Sequence, residues 1–150
     1  MSFPEGEVSQ QFMPRRFTGK IGYKFMNVRH KSIYENVAKV LGLKPEDDLL
    51  EVASGNGYFL RKYASHVHSV AGLDLSELAV KLATTKNKDR VTAGTAEFVC
   101  CEASRLPWVD NKFSAATCMG SFSCFPTPLD TLKEIHRVLR PAGRAVISID

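Results

Sequence analysis

The chain has 150 residues, of which 44% are hydrophobic and 24% charged, and 20 Lys and Arg against 16 Asp and Glu give a formal charge of +4. A chain of this size can bury enough apolar surface to fold without disulfides or metal, which excludes disordered, collagen-like and miniprotein classes. No apolar run approaches the ~20 residues that span a bilayer, and the N-terminus lacks the apolar centre of a secretory signal. The sequence therefore predicts a soluble, cytoplasmic protein.

Residues 1–28 form an N-terminal arm that we expect to pack over another part of the protein. The arm mixes prolines and glycines with aromatic residues, which is irregular for a helix and too apolar for a free tail. The first 44 residues carry eight Lys or Arg against three Asp or Glu. So mild an excess is compatible with an ordinary solvated face, and we expect no nucleic-acid partner.

After the arm, helical and strand patterns alternate along the chain. An apolar stripe predicts an amphipathic helix over Arg29–Leu43. Five short apolar segments predict strands: Asp48–Ala53, His68–Asp74, Glu97–Cys101, Phe113–Met119 and Arg144–Asp150. We expect the intervening helices to cover Tyr58–Ser65, to follow an N-cap at Ser76, and to run from Thr127 and Pro128 to a stop at Pro141-Ala142-Gly143. This alternation predicts a doubly wound α/β protein with a parallel sheet.

Three features at the carboxyl ends of neighbouring strands point to a ligand site. Ser54-Gly55-Asn56-Gly57 follows the first strand, and its glycines allow a sharp turn with backbone N–H groups open to a ligand. Asp74 ends the second strand, where a carboxylate can accept hydrogen bonds from both ribose hydroxyls of an adenosine. The polar stretch from Glu102 to Trp108 follows the third strand. A tight turn or a helix-capping carboxylate explains each feature alone, but their coincidence favours a nucleoside ligand.

These segments resemble class I S-adenosylmethionine-dependent methyltransferases, in the type 11 group that includes the ubiquinone and menaquinone biosynthetic enzymes. The resemblance covers about residues 29–150 and is carried by LLEVASGNGYF, VAGLDLS, FVCCEASRLPWVDNKFSAATC and LKEIHRVLRPAGRAVISI. A weaker similarity links MNVRH, residues 26–30, to the N-terminal lid of some members. The resemblance implies a Rossmann-like sheet with strand order 3-2-1-4-5, residues 29–150 as the cofactor-binding domain, and residues 1–28 as an arm or helical lid.

The resemblance also implies which residues bind S-adenosylmethionine and its product S-adenosylhomocysteine. Glu51, Ala53, Gly55 and Gly57 would lie at the methionine end of the cofactor. The ribose would be held by Asp74, and the remaining contacts would come from Leu75, Glu102 and Ala103 at the adenine and from Cys118 and Met119 near the methionine. The sequence departs from the commonest pattern in Ala53, where glycine is usual, in Glu102, where Asp is commoner, and in Ser114, where an acid is frequent.

A nicotinamide dinucleotide is the competing ligand for such a sheet. That site requires a third glycine three positions after the second, so that helix and strand pack around the pyrophosphate, and position 60 is Leu. The dinucleotide interpretation also gives no role to the stretch from Leu106 to Phe113. The residues therefore favour S-adenosylmethionine.

The implied reaction is an in-line transfer of a methyl group to a small-molecule acceptor, without metal. The protein's main contribution would be orientation, and a general base depends on the acceptor. The candidates for a base are His30 and Tyr23 near the predicted lid, while His136 falls in a helix far from the strand ends. A lone histidine is more often structural than catalytic.

Two further possibilities remain open at this stage. Cys100, Cys101, Cys118 and Cys124 fall near the cofactor side of the sheet, where converging thiols could assist methylation of a metalloid, although cysteine is also a common apolar filler. Family members normally add a sixth and a seventh strand, so the fifth strand would form an open edge in this chain. The chain could therefore be a fragment, form a homodimer or another assembly through that edge, or act as a cofactor-binding module that needs a partner.

Overall fold

Five parallel strands form a single sheet in the computed structural model, which describes Val28 and residues 30–149. The strands in chain order are β1 (Asp48–Val52), β2 (Ser69–Asp74), β3 (Ala96–Cys100), β4 (Phe113–Cys118) and β5 (Leu139–Ile147). Their spatial order is β3-β2-β1-β4-β5. The predicted Rossmann-like α/β fold and its strand order are therefore confirmed.

Five helices connect or precede these strands. They are α1 (Lys31–Leu41), α2 (Tyr58–Tyr63), α3 (Glu77–Lys86), α4 (Lys88–Thr92) and α5 (Pro128–Val138), with a 3-10 turn at Phe122–Cys124. The Ser76 hydroxyl accepts a hydrogen bond from the Ala79 N–H (3.2 Å), which confirms the predicted N-cap of α3. No helix in the described part of the chain is both long and apolar enough to cross a bilayer.

The sheet is buried on both faces by separate apolar clusters. On one face, α1 and α2 pack against the strands through a cluster that includes Tyr34, Val37, Phe59 and Leu60. On the other face, α5 and the segment after β3 contribute Leu106, Trp108, Ile135 and Val138. Coverage on both sides is what a parallel sheet requires, and it leaves the strand ends as the place for a crevice.

The last helix and the last strand differ from the sequence-based prediction. Helix α5 ends at Val138, and Leu139 already pairs with Phe113 of β4 rather than continuing the apolar face of the helix. The register then moves by two residues along β4, from Phe113 to Ala115, and by five along β5, from Leu139 to Arg144. Pro141-Ala142-Gly143 forms this irregularity, with Ala142 at φ +62°. The segment is a bend inside β5, not a helix stop.

Smaller differences occur at other boundaries. Helix α1 begins at Lys31 and is closed by Gly42 in a left-handed conformation, and α2 ends at Tyr63 rather than at Ser65. The short helix α4 and the 3-10 turn have no counterpart in the sequence-based prediction. Apart from Val28, the predicted arm lies outside the described residues, and so does Tyr23.

Candidate functional site

The glycine-rich loop, residues 53–57, follows β1 directly and turns the chain into α2. Ala53, Gly55 and Gly57 all have positive φ, at +57°, +53° and +69°. The Ser54 N–H donates to Leu73 O (2.8 Å), and the Gly57 N–H donates to Ser54 O (3.0 Å). Left-handed residues alternating along five positions make a tight turn, so the loop lies against the end of β2.

Asp74 joins this loop to the end of β2. Its Oδ2 accepts a hydrogen bond from the Gly55 N–H (2.9 Å), and its Oδ1 accepts one from the Ser76 N–H (2.9 Å). Each carboxylate oxygen can accept a second hydrogen bond, so Asp74 keeps capacity for ligand hydroxyls. Burial raises the pKa of Asp74, while its backbone hydrogen bonds act in the opposite direction. Two predicted site residues, Gly55 and Asp74, are thus in direct contact.

Glu51 is a buried acid on the neighbouring strand. It is 4% exposed, and its Oε2 has no hydrogen-bond partner among the described residues. Burial raises its pKa well above the usual range, and the nearby Asp74 carboxylate raises it further. A buried acid with an unpaired oxygen is stabilised in its ionised form by a cationic ligand group. The positively charged methionine end of S-adenosylmethionine fits this requirement.

The side of the site next to β3 combines an apolar surface with polar groups. Leu75 is 46% exposed although it directly follows the half-buried Asp74, and its carbonyl oxygen accepts a hydrogen bond from the Cys100 thiol (3.3 Å). Glu102 is exposed in the loop after β3, whereas Ala103 is buried. The exposed leucine after β2 and the exposed carboxylate after β3 follow the ends of neighbouring strands, which fits a flat, partly polar ring such as adenine.

The two residues predicted near the end of β4 lie in different apolar clusters. Cys118 is fully buried in the cluster packed against α5. Met119 is 8% exposed and belongs to the cluster packed against α1 and α2. A cofactor contact from either residue stays a prediction.

The four cysteines differ in their surroundings. Cys100 is exposed, Cys101 and Cys124 are half-buried, and Cys118 is buried. Burial raises the pKa of the Cys100 and Cys101 thiols, which favours the protonated form. Over the described ranges, no group of three or more Cys, His, Asp or Glu is arranged to hold a metal ion. In the part of the chain that the structure describes, the four thiols are therefore not gathered into one metal-binding cluster.

His30 and His136, the two histidines considered above as general bases, lie in different parts of the fold. His30 precedes α1 and contacts Tyr34 edge-on, with ring centroids 6.1 Å apart. Tyr34 in turn packs on Phe59 of α2, immediately after the glycine-rich loop. His136 lines a cavity of about 420 Å³ with Arg140 near the start of β5. This cavity lies at the opposite end of the sheet from Asp74, which agrees with the exclusion of His136.

Two residues near the loop are not indicated by the sequence pattern. Asn87 is fully buried, and its Nδ2 donates to Gly57 O (3.3 Å) and to Ala83 O (3.0 Å). Tyr34 is buried close enough to Glu51 that the carboxylate adds to the effect of burial in raising the tyrosine pKa. Asparagine is favoured at helix ends, so the sequence could have indicated the break after Lys86. The contact of Asn87 with Gly57, 30 positions away, has no signal in the local sequence.

Comparison with known proteins identifies relatives of the chain. A family model described as "Methyltransferase domain" matches residues 50–147. The chain is 31% identical over 109 residues to the ubiquinone/menaquinone biosynthesis C-methyltransferase of Ectopseudomonas mendocina, covering 71% of this chain and 43% of that enzyme. It is 32% identical over 121 residues to the demethylmenaquinone methyltransferase of Staphylococcus saprophyticus, covering 79% and 51%. The chain therefore spans about half the length, or less, of these curated relatives.

Solved structures share the fold. The chain superposes on the [4+2]-cyclase SpnF with a TM-score of 0.70 and 30% identity, covering 77% of this chain and 43% of the cyclase. It also superposes, with a TM-score of 0.72 and 25% identity, on a structure that pairs the Haloferax volcanii methyltransferase activator Trm112 with a putative methyltransferase, covering 83% and 54%.

Proposed function

The chain belongs to the methyltransferase domain family, and from that premise we propose that it binds S-adenosylmethionine and transfers the methyl group to a small-molecule acceptor by in-line displacement, without metal. The observation that carries the proposal is the joint at the ends of β1 and β2. There the glycine-rich loop, the Asp74 carboxylate and the unpaired Oε2 of Glu51 come together. This group of residues suits a ligand with ribose hydroxyls and a positive charge.

The proposed contacts divide along the crevice. Glu51, Ala53, Gly55 and Gly57 would bind the methionine end, with the Glu51 carboxylate facing its positive charge. Asp74 would accept hydrogen bonds from the ribose hydroxyls. The adenine would lie on Leu75, near Glu102 and Ala103, and the wall at the end of β4 would come from Cys118 and Met119. The exposed apolar surface of Leu75 and the unpaired oxygen of Glu51 support the two ends of this arrangement.

Orientation is the main catalytic contribution that these residues can make. Bound S-adenosylmethionine would supply an electrophilic methyl group with a good leaving group. The Gly55 N–H is hydrogen-bonded to Asp74, so the loop and Asp74 would hold the ligand in one pose. A fixed pose can lower the activation barrier of methyl transfer by up to ~7–11 kcal/mol. His30 remains the described candidate for a general base, supported only by its contact with Tyr34.

Calorimetry with S-adenosylhomocysteine tests the cofactor site. Asp74→Ala should weaken binding at least about tenfold, because it removes charge-assisted hydrogen bonds to the ribose and to the loop. Asp74→Asn keeps the shape and should also weaken binding. Asp110→Ala is the matched control, since Asp110 is an exposed acid paired with Arg137. Unchanged affinity in both Asp74 variants would remove Asp74 from the site.

A second candidate function is a cofactor-binding module that needs a partner chain for activity. The fold shared with a methyltransferase whose structure was solved in complex with an activator protein favours this alternative. Cofactor affinity does not separate the two, because both require binding. Methyl transfer to a panel of quinol and other small-molecule acceptors by the isolated chain separates them, and turnover without a partner would reject the module.

We further propose that residues 29–150 form the cofactor-binding unit and that residues 1–28 cover it as an arm or lid. Thiol-assisted metalloid methylation is a lesser alternative, resting on the exposed Cys100 thiol beside Leu75. A substitution of Cys100 by Ser that leaves methyl transfer unchanged would reject it.

A further inference from the structure

Asn87 occupies the joint between α3 and α4, behind the glycine-rich loop. Its N–H donates to Ala83 O (3.0 Å), and its carbonyl oxygen accepts from the Val91 N–H (3.0 Å), so its backbone ends one helix and begins the next. Its side chain is fully buried, with Nδ2 directed to Gly57 O and Ala83 O. The amide therefore joins the α3–α4 corner to the last residue of the loop.

The fit between Asn87 and Gly57 is close on both sides. A Cβ added to Gly57 would lie 2.8 Å from Asn87 Nδ2 and 2.9 Å from the Ala83 Cβ. Gly57 O accepts from the Arg61 N–H (3.1 Å) as well as from Asn87, which fixes the direction of its peptide group. The position of Gly57 thus depends on the Asn87 side chain as well as on the turn itself.

The oxygen of the same side-chain amide argues against a purely space-filling role. Asn87 Oδ1 is buried and has no hydrogen-bond partner among the residues that the structure describes. A buried amide oxygen without a partner lowers stability, so an apolar side chain would fill this corner at lower cost. The two hydrogen bonds that Nδ2 donates offset the stability lost through the unpaired oxygen.

We propose that Asn87 is a positioning residue for the cofactor: it fixes the glycine-rich loop from behind through Gly57, as Asp74 fixes it from the front through Gly55. This inference rests on the proposed function. The Asn87 side chain is fully buried behind the loop and has no surface open to a ligand, so its effect would reach the site through the loop. With both glycines held, the loop is set for the ligand before binding, and less ordering is required on association.

Calorimetry with S-adenosylhomocysteine on folded variants measures this role. Asn87→Asp turns the donor toward Gly57 O into an acceptor and should weaken binding about tenfold or more. Asn87→Ser replaces the amide with a hydroxyl on a shorter side chain, and it decides the question if Asn87→Asp does not fold. Thr131→Val is the matched control, because Thr131 is 1% exposed and its hydroxyl donates a hydrogen bond to Thr127 O, just before α5 (3.3 Å). The control should lose stability while keeping wild-type affinity.

Amide hydrogen exchange on the ligand-free protein provides a readout independent of binding. The N–H groups of Gly57 and Arg61 should exchange faster in the Asn87 variants than in wild type, with no change in β4 and β5. Wild-type affinity in the folded Asn87 variants, or unchanged exchange at both amides, would overturn the proposal. If wild type binds no S-adenosylhomocysteine, the proposed function fails, and the exchange result still decides whether Asn87 fixes the loop.

Discussion

Ala53 is the residue at which the loop departs from the glycine usual in the family it resembles, and its φ of +57° carries a cost. A side chain in this left-handed region destabilises the folded state by roughly 1–2 kcal/mol. Glycine removes that strain, but part of the gain is lost because glycine has more conformational freedom in the unfolded chain. Ala53→Gly should therefore raise the free energy of unfolding by about 0.5–1 kcal/mol in urea titrations.

Two alanines in other settings calibrate this prediction. Ala142 also has a positive φ, +62°, in the exposed bend of β5, so Ala142→Gly should stabilise the protein too. Ala38 lies within α1, and Ala38→Gly should destabilise by about 1 kcal/mol. A lower unfolding free energy in Ala53→Gly, alongside the expected results for the other two variants, would mean that the loop needs the alanine methyl.

Glu51 predicts a specific dependence of stability on pH. A carboxyl group whose pKa rises on folding destabilises the folded state progressively as the pH rises from its ordinary value, near 4.5, to the raised value. Glu51→Gln removes that ionisation, so the variant should be more stable than wild type at pH 8, with the advantage reduced at pH 5. Urea titrations at the two pH values measure this difference.

The ligand affinity of Glu51→Gln should fall, whereas its stability should rise. Glu51→Gln lacks the carboxylate that would face the α-ammonium group, the positive charge that S-adenosylhomocysteine keeps, so its affinity for this ligand should fall while its stability rises. Glu46→Gln, at an exposed position, is the control for both measurements. Equal stability of Glu51→Gln and wild type at pH 8 would contradict the assignment of Glu51 as a buried, ionisable acid.

At the scale of elements, Arg144 connects β5 to the turn between α1 and β1. Its guanidinium donates to both carboxylate oxygens of Asp47 and to the carbonyl oxygens of Leu41 and Gly42 at the end of α1. Asp47 is 3% exposed and also accepts a hydrogen bond from the Ser114 hydroxyl (2.7 Å). One ion pair therefore holds the outer strand, the first helix and β4 together.

Arg144→Ala should be strongly destabilising, because it leaves the buried Asp47 carboxylate without a cationic partner among the described residues, with only the Ser114 hydroxyl and the Lys44 N–H still donating to it. Breaking a buried pair costs ~3–5 kcal/mol, and the lower end applies because Arg144 is about a third exposed. The Arg144 guanidinium holds the pKa of Asp47 below its usual range, so this stabilisation is present above about pH 4 and is lost as the pH falls. Urea titrations at pH 7 and pH 3.5 should show the difference between variant and wild type shrinking.

Arg61→Ala is the control for that result. Arg61 pairs with Asp89 on the surface, and an exposed pair contributes at most about 1 kcal/mol. If Arg144→Ala and Arg61→Ala lost similar amounts of unfolding free energy, burial of Asp47 would not be what makes its ion pair stronger.

The elements also show which parts of the structure local sequence can predict. The alternation of apolar strands and helices predicts the class, because each strand buried on both faces is a short apolar run. The predicted start of β5, at Arg144, was wrong. Proline and glycine usually end a helix, whereas here they bend a strand around Ala142. The contacts of Asn87 with Gly57 and of Arg144 with Asp47 join positions far apart in sequence, so no local pattern could indicate them.

At the scale of the whole molecule, the outer edge of β5 is the feature that favours assembly. Among the described residues, β5 pairs only with β4, so one side of the strand presents unpaired backbone groups. The Ser148 N–H donates inward to Cys118 O (2.9 Å), and strand alternation therefore places the Ala145 and Ile147 N–H groups outward. Open edges of this kind pair readily with another strand, and we propose that a second copy does so here.

Sedimentation velocity at micromolar concentrations tests this edge. Wild type should sediment as a dimer or larger assembly, and Ala145→Pro should shift it toward monomer, because proline removes the outward N–H while edge strands otherwise tolerate it. Ala145→Val keeps the N–H at the same exposed position and should sediment like wild type. A monomeric wild type would contradict the proposal, and an Ala145→Pro protein that remains dimeric would place the contact on another surface. Because two strands, β1 and β4, lie between this edge and the strand that ends at Asp74, loss of the dimer should leave S-adenosylhomocysteine affinity unchanged.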